Sequence, residues 1–322
     1  ISVKRIIQTP DKKNKKATIV IITHKTNEKN ASNCLSIFRK NKIIGACLRN
    51  LVNIFEMSPR DGLQNEKKFI STDEKVCLID QLSKCGFNKI ETSSFVSHKW
   101  VPQLADATEV FRRINRNKNT KYTALTPNER GFNDALNANV DEVAIFTAAS
   151  ETFCKKNTNC DIETSLKRFI PITEKASKLN IPVRGYISCA THCPYENYVN
   201  PKIVGQIAKD LFKMGCYEIS LGDTTGKGTP EQTLEVVKEC LKYLSSDKLA
   251  GHFHDTYQNA LDNINVCLEN GIKTFDSSVG GLGGCPYSPG AKGNVATEKV
   301  NNLLLSKGYE TNLDRNKLKE CS

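Results

Sequence analysis

From Leu51 onward, short runs of β-branched or apolar residues alternate with segments of helical pattern, and this rhythm restricts the fold more than any other feature. Candidate strands are Val52–Met57, Lys89–Phe95, Lys121–Thr126, Glu142–Ala148, Val183–Cys189, Glu218–Gly222, Ala250–His254 and Thr274–Val279. Helix start signals lie between them. Ser71-Thr72-Asp73-Glu74 opens an apolar-periodic stretch that ends at Gly86, and Thr229-Pro230-Glu231 places a proline just inside a start. Gly131–Asn139, Ile162–Leu179, Pro201–Gly215 and Tyr257–Gly271 behave similarly. Eight strand–helix units predict an α/β protein built as a single closed (β/α)₈ TIM barrel, since an open doubly wound sheet usually has fewer strands.

The net charge of +11 points to nucleic acid until it is mapped along the chain. Residues 1–50 hold 12 Lys/Arg against Asp11 and Glu28, whereas residues 51–322 hold 34 Lys/Arg against 33 Asp/Glu. The charge therefore belongs to a leader, and a basic nucleic-acid face on the fold is not expected. We assign 1–48 to a basic, transit-like or disordered leader and 49–322 to the barrel. An acid-poor leader without an apolar h-region fits an organellar transit segment better than a secretory signal, although it is rich in Lys rather than Arg and begins at Ile1. A mitochondrial matrix location is expected, or the cytoplasm if the leader is not a transit segment. No apolar run approaches the roughly 18 to 20 residues that cross a bilayer, so no membrane partner is expected. The 13 cysteines show no zinc-ribbon spacing and read as reduced, mostly buried thiols.

In such barrels chemistry sits at the C-terminal ends of the strands. The first strand runs into Ser58-Pro59-Arg60-Asp61-Gly62, the second carries Glu91, the sixth runs into Gly222-Asp223-Thr224, the seventh ends in His252-Phe253-His254, and the eighth runs into a loop from Gly280 to Tyr287. A strand turns residues i and i+2 to one face, so His252 and His254 can chelate one ion, or form an ordinary hydrogen-bonded pair. Ring closure sets strands seven, eight and one side by side, which lets Asp61 and Asn294 approach the same point. Alone, Asp61 before Gly62 reads as a turn cap. Two imidazoles, a carboxylate and an amide oxygen, without thiolate, suit a divalent cation such as Mg²⁺ or Mn²⁺ better than structural zinc. Arg60 can clamp a carboxylate, phosphate or enolate oxygen, or pair with Glu91 or Asp223. Cys285 stands in a loop with glycines at 280, 281, 283 and 284, a composition suited to a mobile lid carrying an acid–base thiol.

Three long segments, Arg60-Asp61-Gly62-Leu63-Gln64-Asn65-Glu66, Cys216-Tyr217-Glu218-Ile219-Ser220-Leu221-Gly222-Asp223-Thr224 and Gly281-Leu282-Gly283-Gly284-Cys285-Pro286-Tyr287, together resemble the hydroxymethylglutaryl-CoA lyase family, and the likeness spans roughly residues 52–320. The resemblance implies cleavage of 3-hydroxy-3-methylglutaryl-CoA to acetyl-CoA and acetoacetate with a divalent cation, in ketone-body formation and leucine breakdown, by a homodimer. It implies Asp61, His252, His254 and Asn294 as metal ligands. Arg60, Glu91, Asn157, Asp223 and Glu298 would then line the acyl-CoA substrate site, and Cys285, His252, Asp61 and Arg60 would be catalytic. His192 departs from the family's usual Gly, and Gln258-Asn259 follows Tyr257 where Gly-Gln is usual. The last residues, Cys321-Ser322, form no peroxisomal tripeptide.

Two other readings stay open at this level. A condensing relative, such as an isopropylmalate or homocitrate synthase, shares the barrel and the His-x-His pair, and the cysteine loop favours the lyase. A non-catalytic protein whose leader engages nucleic acid would leave the strand-end polar groups unexplained.

Overall fold

A computed structural model describes residues 50–283 and 293–322, together with the backbone of Ile7–Thr9 and Thr18–Val20. The chain divides into two compact units, Ile1–Asn50 and Leu51–Ser322. In the first, the two short segments pair antiparallel with Ile7 opposite Val20. The other residues before position 50, expected above to form a leader, and the loop residue Cys285 lie outside the described residues.

The second unit is a closed ring of eight parallel strands: β1 Asn53–Glu56, β2 Lys89–Ser94, β3 Lys121–Leu125, β4 Glu142–Ala148, β5 Val183–Ser188, β6 Cys216–Asp223, β7 Leu249–Phe253 and β8 Thr274–Ser277. Closure runs through β8 and β1, with Thr274 opposite Asn53 and Ser277 opposite Glu56. All eight expected strands are present, most of them shorter by a residue or two at an end. β6 is longer, because it begins at Cys216 across a bulge that the periodicity does not signal.

Helices α1 Thr72–Leu82, α2 Ala107–Arg113, α3 Glu129–Asn137, α4 Glu151–Thr158, α5 Ile162–Lys178, α6 Pro201–Lys213, α7 Pro230–Cys240, α8 Ala260–Glu269, α9 Thr297–Ser306 and α10 Arg315–Cys321 complete the unit. The start signals read from sequence are real caps. Ser71 with Glu74, and Thr229 with Gln232, form reciprocal capping boxes that satisfy orphan N–H groups. Helices α2, α4, α9 and α10 were not expected; they are short or lack a start signal of that strength. No helix among the described residues is long and apolar enough to cross a membrane.

Strand alternation divides the barrel into two environments. Outward residues such as Ile54, Ile90, Val143, Ile145, Ile187, Leu221, Phe253 and Phe275 join Ile79, Phe132, Ile172, Leu211 and Val236 from the helices in one continuous apolar layer. Inside, a much smaller apolar cluster of Phe55, Met57, Leu125, Ala144 and Tyr186 surrounds charged side chains. Interiors of such barrels are usually filled by branched apolar residues. Here much of that volume is given to Glu91, Arg184, Glu218, His252 and Asp276, all buried.

Candidate active site and metal centre

The backbone immediately after β1 makes a wide turn over Ser58–Gly62, in which the Met57 carbonyl accepts from the N–H groups of Arg60 at 3.1 Å, Asp61 at 2.8 Å and Gly62 at 3.1 Å. Such π-type turns are uncommon and concentrate at functional positions. This one delivers Arg60 and Asp61 to the barrel mouth. β7 supplies His252 at its end and His254 two residues on, with Phe253 turned outward into the apolar layer. The segment around Asn294 runs beside the end of β7, fixed by Val295 N–H to the Phe253 carbonyl and Asp255 N–H to the Gly293 carbonyl, both 3.1 Å.

These elements converge. Nε2 of His252, Nε2 of His254 and Oδ2 of Asp61 lie 3.4, 3.8 and 4.0 Å from one another. Asn294 donates through Nδ2 to Asp61 Oδ2 at 2.8 Å and to the Leu282 carbonyl at 3.0 Å, while its own Oδ1 is buried without a partner. Half a turn of that amide exchanges nitrogen for oxygen at the cluster.

The donor set fits a divalent cation on three counts. It is hard and mixed, with no sulfur. It contains an orphaned buried acceptor, which costs free energy unless something binds it. Finally, the connected network sets four carboxylates, of Asp61, Glu91, Glu218 and Asp276, against two guanidiniums, of Arg60 and Arg184. With neutral imidazoles this leaves a formal excess of two negative charges.

Arg60 reaches Glu91 through Nε and Asp61 through Nη1, so of the two partners open to it from sequence it takes Glu91 and not Asp223. Glu91 accepts from Tyr186 Oη at 3.0 Å. Asp223 instead accepts from Thr191 Oγ1 at 3.0 Å and from Gly228 N–H at 2.9 Å. Its burial pushes the carboxyl up to about 6. Asp61 is buried too, yet Arg60 and then the two imidazoles hold it down at about 2. Burial pulls His254 down to about 4, helped by His252. Burial also pulls on His252, but the Asp276 hydrogen bond and the Asp61 charge outweigh it and raise this imidazole above its ordinary value.

Besides Asp223, two expected substrate residues are not joined to this cluster. Glu298, in the first turn of α9, accepts from Gly280 N–H at 3.1 Å and so braces the start of the glycine-rich loop. Asn157 is exposed near the end of α4, a helix that leaves the mouth end of β4. Gly283 sits directly over the site: a Cβ there would meet Asn294 Nδ2, and the Asp61 carbonyl at 3.1 Å, at a φ of +115°. Both described ends of the loop, Gly283 and Gly293, are in close contact.

Residues 51–322 match the family described as HMGL-like. The chain belongs to the HMGL-like family. It is 50% identical over 270 residues to the human protein named hydroxymethylglutaryl-CoA lyase, mitochondrial, covering 84% of this chain and 83% of that one. It is equally 50% identical over 274 residues to a mouse lyase named cytoplasmic, covering 85% and 80%. Among solved structures, an HMG-CoA lyase from Acinetobacter baumannii in complex with coenzyme A and 3-methylmalate superposes with a TM-score of 0.81 at 37% identity, covering 85% and 89%. The HMGL-like barrel also holds polar residues that sequence reasoning missed: Arg184, Tyr186, Glu218, Ser220 and Asp276. For Arg184, Tyr186, Glu218 and Ser220 a signal was available, because each sits at an inward position of a strand whose alternate residues are apolar; Asp276 stands beside the polar Ser277 and lacks it.

Proposed function

We propose that this chain cleaves 3-hydroxy-3-methylglutaryl-CoA to acetyl-CoA and acetoacetate in a divalent-cation-dependent retro-Claisen reaction. The observation that carries the reading is the convergence of Asp61, His252, His254 and Asn294 beside Arg60 at the mouth of a barrel about half identical to lyases so named. Mg²⁺ and Mn²⁺ both suit the donor set. Such a cation, held by those four residues, supplies a Lewis acid that makes the substrate's tertiary hydroxyl more acidic.

Nδ1 of His252 faces Asp276 at 3.2 Å, so one lone pair, on Nε2, remains for both ligation and proton transfer. His252 accepts the hydroxyl proton in states where Nε2 is not ligating, and the adjacent Asp61 carboxylate stabilises the imidazolium. As the carbon–carbon bond breaks, its electron pair moves onto the thioester as an enolate while the hydroxyl-bearing carbon becomes the ketone of acetoacetate. Arg60 has Nε and Nη1 committed to Glu91 and Asp61, and its Nη2 stabilises that enolate. Cys285 returns a proton to the enolate carbon to complete acetyl-CoA. It lies two residues beyond Gly283, and two residues of chain span at most about 7 Å. Glu91 positions Arg60, while Asp223, Glu298 and Asn157 contact the acyl-CoA.

A place in ketone-body formation and leucine breakdown, a mitochondrial matrix location and a homodimer belong to the same reading. The test is a cation-supplemented cleavage assay on 3-hydroxy-3-methylglutaryl-CoA, run on the wild type and on Cys285→Ala. Cleavage by the wild type and its loss in the variant are expected. Condensation of acetyl-CoA with a 2-oxo acid, without cleavage, would replace the lyase by a synthase.

A further inference from the structure

His252 and Asp276 are register partners on adjacent strands β7 and β8, and both turn inward. Asp276 Oδ2 is 3.2 Å from His252 Nδ1 and also accepts from Ser220 Oγ at 2.7 Å and from Arg184 Nη1 at 3.0 Å. Its other oxygen lies 2.8 Å from Arg184 Nη2. Arg184 cannot swing away. It is 1% exposed, lies over the rings of Phe55 at 4.7 Å and Tyr186 at 5.0 Å, and is held on its far side by Glu218 at 2.8 Å. Arg184 Nη1 also donates to Tyr186 Oη at 3.0 Å, and Tyr186 donates to Glu91, the partner of Arg60. One buried guanidinium thus stands behind both the imidazole and the substrate-facing arginine.

We propose that Asp276, clamped by Arg184 and Ser220, is a positioning residue that keeps the His252 proton on Nδ1 and thereby aims a free Nε2 lone pair at Asp61 and His254. A carboxylate is an acceptor only, so a neutral imidazole facing it carries its hydrogen on that nitrogen. Nε2 is then unprotonated whether it receives a cation or a proton, and this deepens the cation-site reading on which it rests. Three donors converge on Oδ2, so an asparagine at 276 would keep its oxygen there and preserve the tautomer, though its NH2 would then face Arg184 Nη2, whereas alanine would leave no acceptor.

The experiment is long-range ¹H–¹⁵N NMR of the His252 imidazole in cation-free protein, coupled to Mn²⁺ titration followed by electron paramagnetic resonance. Wild type should show Nδ1–H. Asp276→Ala should lose that preference and bind Mn²⁺ about 10- to 100-fold more weakly, the usual cost of losing such a support. Asp276→Asn should keep the tautomer and most of the affinity. A neutral His252 imidazole carrying its hydrogen on Nε2 in the wild type overturns the proposal whether or not any variant folds. So does a folded Asp276→Ala with an unchanged tautomer. A wild type that keeps Nδ1–H and loses it in Asp276→Ala, yet binds no Mn²⁺, sustains the positioning role and removes the cation site instead.

Discussion

The apolar layer outside the barrel and the charged space inside it are built from the same eight strands with opposite chemistry. Outside, Ile145, Ile187 and Phe275 touch helices and are replaceable by anything apolar of similar volume. Inside, Arg184, Asp276, Glu91 and Arg60 hold one another by directional bonds at fixed distances. Buried ion pairs are seldom a net source of stability, because desolvation offsets much of their attraction. The contrast therefore assigns folding energy mainly to the outer layer and geometry to the inner one.

The largest expected effect is that Asp61→Ala removes cation binding and cation-dependent turnover together while the barrel still folds; retained Mn²⁺ affinity in a titration would break the division at its centre. Next, Phe132→Ala in the outer layer should lower stability by about 3–5 kcal/mol in urea unfolding, with turnover per folded molecule unchanged. Arg60→Gln should do the reverse, keeping the cation and losing about 10²–10³ in kcat; unchanged kcat would remove Arg60 from the chemistry.

A pH experiment sharpens the same contrast. Asp61 and Asp276 sit at about 2 in the fold, below the usual carboxylate value of 3.8. Each depressed group contributes stability that is complete above the unfolded value and is lost as pH falls through the folded one. The metal-free protein should thus lose roughly 2 kcal/mol per group between about pH 4 and 2. Unfolding midpoints that stay flat over that range would mean these carboxylates are not held by the buried guanidiniums. The smallest effect concerns Gln258, which adopts a φ of +65°, a region that favours glycine. Gln258→Gly should raise stability by about 0.5–1 kcal/mol through relief of left-handed strain.

Much of the site was legible because period-2 alternation is local: His252 and His254 had to share a face once they were on a strand. The pairing of Arg60 was not legible, since Glu91 and Asp223 both stand at the mouth ends of strands and only the turn at Ser58–Gly62 aims the guanidinium at one of them. Asp276 was overlooked because, within Thr274-Phe275-Asp276-Ser277, an acid on a strand looks like an ordinary polar position until the ring closes around it. Proline at 171 did not divert the reading of α5, and the helix runs through it from Ile162 to Lys178.

Taken alone, the chain's order of residues determined the eight strand–helix units, the excess of basic residues in positions 1–50 and the types of side chain offered at each strand end, because propensity, periodicity and capping act over a few neighbours. Tertiary structure alone decided which of those side chains face one another. Asp61 meets His252 across 191 positions of sequence, and no local rule measures a distance that exists only after β8 has paired with β1.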